Sequence, residues 1–580
     1  MRILGLKIFG RHDNGAALID GEKVFAVHQE RLDRKKYSAK FPAEAIDYCL
    51  KAAGFENIGQ VDIVAVDQMT PDIGPLIEVF SKHGLWDKIK NKVIFVNHHD
   101  AHAASAYFCS PFEEAAVMVV DAGGQTARMD GEKLAVETES FYSASGGKLK
   151  LSHRNRQPVR TGGGLEGIGG VGNFYSQVTY FINFGKCEEG KTMGLAPYGN
   201  DKFVDLIVEE QFVKKIGPLQ YVFQTPLEPH PEYDFGYLFK KNSYSRKAAW
   251  FRLIKTLRFP KRHPLFKSLP AQFAEGRRPK NTKLPDDSYT DLAFWAQHWL
   301  EKVMIDYANE LHKITKSKNL CIAGGVGLNS VANKKILDAS PFENIFIQPA
   351  AGDSGLPLGA ALWVKHQLNE DQSRWRMDSA YLGRPYSENE VLEALAVSGE
   401  KYIKLENPAK TAAELIAQEK IVGWVQGGSE YGPRALGNRS ILCSPIPPGM
   451  KDKLNAQVKH RESFRPFAPA VLEERASEYF DLNCTSPFML LVAKVKKDSI
   501  PAITHVDGTG RVQTVSRKQN PAFYNLIEEF GKITGVPVVL NTSLNDNGEP
   551  IVETPEDALK SFRKTNLDAL IIHNYLILRD

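Results

Sequence analysis

The N-terminal part of the chain, residues 1–125, alternates short apolar runs with helical patterns. The apolar runs at 2–8, 16–19 and 24–27 are close enough along the chain to form an antiparallel meander. A helical pattern then covers 43–53, and 61–66 has the composition of a buried strand. Because a helix between two strands usually makes them neighbours in parallel, this order predicts a mixed sheet of the ribonuclease-H type.

A second set of elements with the same alternation follows later in the chain. Residues 289–315 have the pattern of a long amphipathic helix, and 319–323 and 344–347 have the pattern of strands. A further helical pattern starts at Leu356. Two such units predict an actin-like α/β domain, a duplicated ribonuclease-H fold similar to that of sugar kinases and chaperones, whose cleft binds a nucleotide.

A chain of 580 residues is too long for a single core, so we expect at least two domains. The segment 375–384 precedes a new series of elements, and we therefore place the domains at 1–372 and 373–580. The second domain is also predicted to be α/β, with helices at 388–396 and 410–418, a strand near Tyr402 and a strand at 421–425.

The composition is that of a soluble globular protein, with 43% hydrophobic and 24% charged residues. A net charge of +4 on this length argues against a nucleic-acid partner. No apolar run approaches the roughly 18 residues of a membrane span. The six cysteines are scattered without a CxxC pair, which indicates reduced thiols and a cytoplasmic location.

Residues 240–283 form a basic insert, rich in lysine and arginine, with Glu275 as its single acidic residue. We interpret the insert as a solvated surface excursion over the cleft. The alternative is a contact with a membrane surface or an anionic partner, because 248–259 combines an apolar stripe with cationic flanks.

Two histidines one helical turn apart are the first candidates for a functional site. His98 and His102 follow a predicted strand and lie on one face of the helix that begins there. This spacing allows both imidazoles to bind one metal ion, although such pairs also occur without a metal. Asp121 and Asp353 strengthen the metal interpretation, since each follows a predicted strand and is flanked by glycines. The residues do not choose between iron, manganese and zinc.

Arginines and glycines are concentrated in the second predicted domain. Four motifs carry them, at 427–440, 459–467, 507–513 and 541–551. A guanidinium binds phosphate or carboxylate through two parallel hydrogen bonds, so the motifs favour a pocket for an oxyanion. The alternative for each motif is a surface ion pair of little consequence. Counting charges does not settle which anion binds.

Further motifs occur in a fixed order along almost the whole chain. They lie at 12–18, 30–31, 98–102, 121–124, 190–196, 324–329 and 352–355. With the four arginine motifs, they resemble those of the O-carbamoyltransferases of nodulation-factor and antibiotic biosynthesis. The resemblance implies an N-terminal domain similar to the universal tRNA-threonylcarbamoyl transferase. It also implies a C-terminal domain similar to the YrdC threonylcarbamoyl-adenylate synthases.

The reaction implied by the resemblance has two steps. Carbamoyl phosphate and ATP form a carbamoyl-adenylate in the C-terminal domain, and the N-terminal domain passes the carbamoyl group to a hydroxyl of a small molecule or sugar. The implied ligands of a ferrous-type metal are His98, His102, Asp121 and Asp353. The implied carbamoyl-phosphate ligands are Arg434, Lys459, Arg465, Arg511, Asn541 and Ser543, of which Arg434 and Arg465 would also act in catalysis.

Further residues of the N-terminal domain are candidates for proton transfer, for support of the metal ligands and for contacts with ATP. His12, beside Asp13 in a turn after the first strand, is the candidate base or orienting group for the hydroxyl. Its alternative role is to position backbone or phosphate. His99 and Asp100 point away from the paired histidines and are expected to support them. The predicted contacts of ATP, which would carry Mg²⁺, are Gly324, Gly325 and Asn329 at the adenosine, Gly123 and Gly124 at the phosphates, and Lys191.

Two other functions remain open from the sequence. A tRNA-modifying threonylcarbamoyl transferase would share both predicted domains, and the basic insert supports it while the near-neutral charge opposes it. A nucleotide-dependent binding or regulatory protein with an inactive site is opposed by the complete set of metal candidates and arginines. A homodimer is compatible with each of these functions.

Overall fold

The computed structural model describes residues 1–10, 12–129, 133–158, 169–182, 184–201, 204, 213–223, 287–369, 371 and 373–579. The basic insert at 240–283 lies outside these residues, and with it the predicted surface excursion and the alternative membrane or partner contact. Among the described helices, none combines the length and the apolar composition needed to cross a bilayer.

The first sheet is the mixed ribonuclease-H-type sheet predicted from the sequence. Its strands are β1 (Arg2–Lys7), β2 (Gly15–Asp20), β3 (Lys23–His28), β4 (Ile63–Gln68) and β5 (Val93–Asn97). Their order is β3-β2-β1-β4-β5, antiparallel from β3 to β1 and parallel from β1 to β5. Gly21, with a φ of 61°, makes the tight turn that keeps β2 and β3 adjacent.

The second sheet repeats this arrangement. Its strands are β6 (Glu114–Val120), β7 (Thr126–Met129), β8 (Lys133–Ser145), β9 (Lys148–Pro158), β12 (Asn319–Ala323) and β13 (Asn344–Ile347). Strand β6 is antiparallel to β8 and parallel to β12, which is parallel to β13, while β7 and β9 both pair with β8. The two sheets confirm the predicted actin-like duplication. A separate hairpin consists of β10 (Val213–Gly217) and β11 (Gln220–Phe223).

Two helices rich in small residues connect the sheets. The histidine helix, His98–Tyr107, packs on the second sheet, and the core helix, Leu356–Trp363, packs on the first. The helices touch where a Cβ on Gly359 would lie 2.0 Å from the Ala101 carbonyl oxygen. This close approach fixes the histidine helix relative to both sheets, because neither helix has space to move toward the other.

The third sheet lies entirely in the C-terminal part of the chain. Its strands are β14 (Ile403–Lys404), β15 (Val422–Val425), β16 (Arg439–Cys443), β17 (Ala468–Leu472), β18 (Leu491–Lys494), β19 (Thr509–Val515), β20 (Val538–Ser543), β21 (Ala569–Ile572) and β22 (Tyr575–Leu578). They follow the order β14-β22-β21-β15-β16-β20-β17-β19-β18. Helices Pro408–Ala417 and Pro521–Thr534 share a core with this sheet, which is the second α/β unit predicted from the sequence.

The remaining helices differ from prediction mainly at their ends. The helix predicted at 410–418 begins earlier, because the Asn407 side chain accepts the N–H of Lys410 and Pro408 fits the first turn. The other described α-helices are Gln29–Asp33, Ala43–Ala52, Gly74–Lys82, Trp86–Ile89, Val171–Phe181, Glu189–Leu195, Asp287–Thr315, Ser330–Ala339, Glu388–Ser398, Met450–Leu454, Ala476–Tyr479 and Pro555–Lys564.

Candidate metal centre and anion pocket

Four buried side chains from three parts of the chain converge at the start of the histidine helix. His98 and His102 lie one turn apart on that helix, Asp121 follows β6, and Asp353 begins a turn after β13. One ligand atom from each lies within 4.8 Å of the others. The structure thus brings together the four predicted metal ligands, here called the His/Asp cluster.

The donor atoms of the His/Asp cluster face one another. His102 Nε2 lies 3.2 Å from Asp121 Oδ2 and 3.7 Å from Asp353 Oδ1. His98 Nε2 lies 3.6 and 3.5 Å from the same two oxygens. Within the described part of the chain, neither Nε2 atom nor Asp121 Oδ2 has a hydrogen-bond partner. Two nitrogens and two carboxylate oxygens arranged in this way fit a divalent cation of the iron, manganese or zinc kind.

The surroundings of the His/Asp cluster favour the ionised form of both carboxylates. Burial alone would raise the pKa of Asp353, but the positive charges of Lys7 and His98 lower it well below its usual range. The pKa of Asp121 is also lowered, because the imidazoles of His102 and His98 outweigh its burial. Carboxylate oxygens kept in this form can bind a cation once the imidazoles lose their protons.

Two residues that the sequence analysis did not select hold the cluster in place. Asp67, at the end of β4, lies with Oδ1 3.0 Å from His98 Nδ1, which turns the other ring nitrogen into the cluster. Lys7, at the end of β1, is fully buried, and its Nζ lies 3.2 Å from Asp353 Oδ2. Asp353 therefore presents Oδ1 to the histidines and Oδ2 to Lys7. In the sequence, each of these residues is recognisable only as a charged residue near the end of an apolar strand.

His12 lies beside the His/Asp cluster. Its Nδ1 is 3.0 Å from Asp13 Oδ2 and 4.0 Å from Asp353 Oδ2. Lys7 Nζ donates to the carbonyl oxygen of His12 at 2.7 Å, which ties this turn to the cluster. Burial alone would lower the pKa of His12, but the hydrogen bond to Asp13 and the negative charges of Asp13 and Asp353 together outweigh burial and raise the pKa. The side chain is 28% exposed, so a molecule from solvent can reach it.

His99 and Asp100 point away from the cluster, as expected. His99 Nδ1 lies 2.8 Å from Ser140 Oγ, and Asp100 accepts a hydrogen bond from the Tyr142 hydroxyl at 2.7 Å. Arg154 also pairs with Asp100. These contacts attach the histidine helix to β8 and β9.

The glycines predicted to bind nucleotide lie around the Asp121 carboxylate. The Gly325 N–H donates to Asp121 Oδ1 at 3.3 Å. Gly324 has a φ of 89°, and a Cβ there would lie 2.2 Å from a backbone carbonyl oxygen of β6. Gly123 and Gly124 follow the same carboxylate in sequence, and Gly124 approaches the histidine helix so closely that a side chain has no space. Glycine at these positions lets the loops after β6 and β12 pack closely around Asp121.

Asn329 and Lys191 are engaged by other protein groups. Asn329 caps the helix that follows it and exchanges two hydrogen bonds with Gln297, at 2.9 and 3.2 Å. Lys191 pairs with Glu188 at 2.6 Å and with Glu462, from the C-terminal part, at 2.8 Å. Lys191 therefore lies where the N-terminal part meets the arginine motifs.

Four arginines form a group in the C-terminal part, which we call the arginine pocket. Burial lowers the pKa of Arg434 to about 10 and that of Arg461 to about 9, and Arg465 contributes to both shifts. Burial and the other three arginines lower the pKa of Arg511. Among the described residues, the buried Nε atoms of Arg434, Arg461 and Arg511 have no partner. An oxyanion would neutralise this charge. Arg461 lies in the motif at 459–467 but is not among the predicted anion ligands.

The other predicted anion ligands lie near the end of β20. Lys459 Nζ donates to the carbonyl oxygens of Ser543 and Asn545 at 2.9 and 2.8 Å, and to Asn545 Oδ1 at 2.7 Å. Asn541 donates to Gln513 Oε1 at 2.9 Å, while its own Oδ1 has no partner among the described residues. Lys459 thus shapes the loop after β20, and Asn541 keeps an acceptor for a ligand.

A buried glutamate missed by the sequence analysis organises the loop that carries Arg434. Glu430 Oε1 accepts the backbone N–H groups of Leu436, Asn438 and Arg439 at 2.7, 2.8 and 3.1 Å. Three such bonds close the loop around one carboxylate. The signal in the sequence is an acidic residue inside a glycine-rich motif.

Comparisons with known proteins match both parts of the chain. A family model described as Carbamoyltransferase N-terminus matches residues 2–78 and 73–362, and one described as Carbamoyltransferase C-terminus matches 413–579. Nodulation protein NolNO of Sinorhizobium fredii is 35% identical over 599 residues, which is 98% of this chain and 79% of the relative. Nodulation protein NolO of Bradyrhizobium diazoefficiens is 37% identical over 493 residues, 83% of this chain and 78% of the relative.

Two solved structures of HypF show a weak likeness to this chain. Full-length HypF in the phosphate- and nucleotide-bound form is 14% identical, with a TM-score of 0.31, and the match covers 64% of this chain and 56% of that chain. HypF of T. kodakarensis is 15% identical with a TM-score of 0.30, over 64% of this chain and 48% of that chain. The fold assignment rests on the strand order of the three sheets.

Proposed function

The chain belongs to the carbamoyltransferase family, and we propose that it uses carbamoyl phosphate and ATP to carbamoylate a hydroxyl of a small molecule or sugar. Activation would take place in the arginine pocket, where water releases phosphate from carbamoyl phosphate and the resulting carbamate displaces pyrophosphate from ATP. Transfer would take place at the His/Asp cluster, where the acceptor hydroxyl displaces AMP from the carbamoyl-adenylate. The two functional units proposed are 1–372 for transfer and 373–580 for activation.

The arginine pocket suits carbamoyl phosphate, a small dianion with several acceptor oxygens. Arg434, Arg465 and Arg511 would supply paired donors to these oxygens. Asn541 Oδ1 would accept a hydrogen bond from the carbamoyl amide. The Ser543 hydroxyl, which donates to Asn545 Oδ1 at 2.6 Å, would turn to the phosphate. Arg434 and Arg465 would also stabilise the charge that develops as the carbamoyl-adenylate forms.

The His/Asp cluster suits the transfer step. Its residues would hold a divalent cation, proposed as Fe²⁺ with Mn²⁺ or Zn²⁺ as alternatives, and the cation would supply a Lewis acid beside the departing adenylate phosphate. His12, held by Asp13, would accept the proton of the attacking hydroxyl. The glycines at 123–124 and 324–325 would let the nucleotide approach Asp121. Mg²⁺ would accompany ATP.

The observation that carries the proposal is the set of buried guanidinium Nε atoms without partners among the described residues. The test uses the full-length protein with ATP, labelled pyrophosphate and carbamoyl phosphate. We expect label to enter ATP only when carbamoyl phosphate is present. Absence of exchange, or exchange without carbamoyl phosphate, contradicts the activation step.

The acceptor class is tested with labelled carbamoyl phosphate and three acceptors. Polyols, free sugars and bulk tRNA are incubated separately with the protein and ATP. We expect label on polyols or sugars, in a product that anion-exchange chromatography separates from the charged carbamoyl phosphate. Label on tRNA alone would replace the proposal with the nucleic-acid alternative.

Location and partners complete the proposal. All six cysteines are free thiols, which fits a reducing compartment and a cytoplasmic enzyme. The homodimer and the membrane contact through 240–283 stay predictions. Lys191 and Asn329 stay proposed nucleotide contacts, and binding of ATP would require their present partners to rearrange.

A further inference from the structure

One short segment, 431–434, reaches both the His/Asp cluster and the arginine pocket. At its start, the Tyr431 hydroxyl donates to the carbonyl oxygen of Ser354, the neighbour of Asp353 in the chain. At its end, Arg434 belongs to the arginine pocket. The contact with one site and the side chain in the other are therefore three residues apart.

Gly432 is packed against the loop that leads to Asp353. It has a φ of 120°, and a Cβ there would lie 2.6 Å from the carbonyl oxygen of Pro349. On its other side, Arg31 Nη2 donates to the Gly432 carbonyl oxygen at 2.8 Å. The segment cannot shift without disturbing the loop 349–354, because both neighbours are close and Arg31 is buried.

Tyr431 is itself enclosed by the N-terminal part and the connection between the two parts. Its side chain is 2% exposed, and its ring centroid lies 4.8 Å from that of His28. Its N–H donates to the Ala380 carbonyl oxygen at 2.6 Å. A buried hydroxyl bonded to Ser354 holds the turn that begins at Asp353, so the positions of Asp353 and Arg434 depend on the same contacts.

We propose that Tyr431 is a positioning residue that couples the two sites, so that an oxyanion in the arginine pocket raises the affinity of the His/Asp cluster for a divalent cation. This inference rests on the proposed function, since it takes both sites to bind their ligands. An anion that restrains Arg434 would further restrain the segment and, through the Tyr431 hydroxyl, the turn of Asp353. By linkage, the cation raises the affinity for the anion by the same factor.

The test measures binding rather than turnover. Mn²⁺ is titrated into the full-length protein and followed by electron paramagnetic resonance, with and without saturating carbamoyl phosphate. We expect carbamoyl phosphate to tighten Mn²⁺ binding about 5-fold or more, the lower end of usual coupling. In Tyr431→Phe, Mn²⁺ and carbamoyl phosphate should still bind. The ratio of Mn²⁺ affinities with and without carbamoyl phosphate, here called the coupling factor, should fall to about one. The control is Tyr479→Phe, which removes a part-buried hydroxyl that donates to the Gly535 carbonyl oxygen at 3.4 Å.

A second pair of variants tests the packing of the segment. Gly432→Ala places a methyl group against Pro349. It should also reduce the effect of carbamoyl phosphate on the affinity for Mn²⁺. Gly535→Ala is its control, because Gly535 has a φ of 76° and open space around it.

Three outcomes would overturn the inference. Equal Mn²⁺ affinity with and without carbamoyl phosphate in the wild type, when both ligands bind, removes the coupling but leaves the proposed function. If carbamoyl phosphate tightens Mn²⁺ binding in Tyr431→Phe as much as in the wild type, Tyr431 does not couple the two sites. Failure of Mn²⁺ or carbamoyl phosphate to bind the wild type overturns the proposed function and the coupling with it.

Discussion

At the scale of single residues, the orientation of His98 depends on Asp67. Asp67→Asn keeps the shape of the side chain but removes the charge that faces His98 Nδ1. We expect metal affinity to fall about 10- to 100-fold, the usual effect of losing a carboxylate behind a ligating histidine. Mn²⁺ titration measures this change. Asp72→Asn, at an exposed aspartate of the following loop, should bind like the wild type, and equal affinities for both variants would remove Asp67 from the site.

Arg465 is the residue-scale test of the arginine pocket. Arg465→Ala should slow carbamoyl-phosphate-dependent pyrophosphate exchange about 100- to 1,000-fold, the usual effect of losing a donor that faces developing charge. Arg475→Ala is the matched control, since Arg475 pairs with Glu478 on the surface. A wild-type exchange rate in Arg465→Ala would place the anion elsewhere.

The metal candidates could be predicted because their signals are local: a four-residue spacing for His98 and His102, and strand ends for the aspartates. Asp67 and Lys7 could not, because a charged residue in an apolar strand does not reveal its partner. Asp67 and His98 are 31 residues apart in sequence, and their contact depends on the pairing of β4 with β5. Residue roles in the arginine pocket stay predictions until they are tested.

At the scale of elements, the contact between the histidine helix and the core helix fixes two of the four candidate ligands. Gly359→Ala should force the helices apart, because the new Cβ would lie 2.0 Å from the Ala101 carbonyl oxygen. We expect the free energy of unfolding to fall by about 1–3 kcal/mol and Mn²⁺ binding to weaken. Urea unfolding and Mn²⁺ titration measure the two effects.

Gly190→Ala is the control for this substitution. Gly190 lies in helix Glu189–Leu195, and a Cβ there meets nothing within 4 Å. We expect unchanged or slightly higher stability, since alanine favours a helix over glycine by about 1 kcal/mol. Equal stability of Gly359→Ala and Gly190→Ala would show that the helix contact tolerates a methyl group.

Strands with apolar patterns could be predicted from the sequence, and the first and second sheets follow that prediction closely. The hairpin of β8 and β9 could not, because β8 buries a run of polar residues. Four consecutive polar residues of β8 are fully buried: Glu137, Thr138, Glu139 and Ser140. This part of the strand therefore lacks the alternation of apolar and polar residues from which a strand is predicted. Partners in the neighbouring strand and loops satisfy these groups, as when Asn155 donates to Glu139.

At the scale of the whole molecule, separate sites for activation and transfer predict that metal removal stops only one step. The protein is treated with a chelator, desalted and assayed with Mg²⁺ and ATP. At saturating carbamoyl phosphate, pyrophosphate exchange should continue at nearly the wild-type rate, while carbamoyl transfer to a polyol should be lost. Fe²⁺ or Mn²⁺ should restore transfer. Loss of both activities on chelation would contradict separate sites.

Contacts between the two parts of the chain could not be predicted, because they join residues far apart in sequence. The Tyr48 hydroxyl donates to the buried Glu553 carboxylate at 2.6 Å across 505 positions. Arg34 reaches the carbonyl oxygen of Ile551 at 2.7 Å. Each partner looks like an ordinary polar residue in its own segment, and only the completed fold brings the pairs together.

The crowding of guanidinium groups in the arginine pocket has a consequence for handling the protein. Like charges destabilise the folded chain, and a bound oxyanion relieves that repulsion by mass action. Sulfate should therefore raise the melting temperature more than chloride at equal ionic strength, and scanning calorimetry measures the difference. Arg511→Met should melt higher in chloride and lose most of the response to sulfate. Common phosphate buffers would then act as competitive inhibitors, so purification in them would conceal activity.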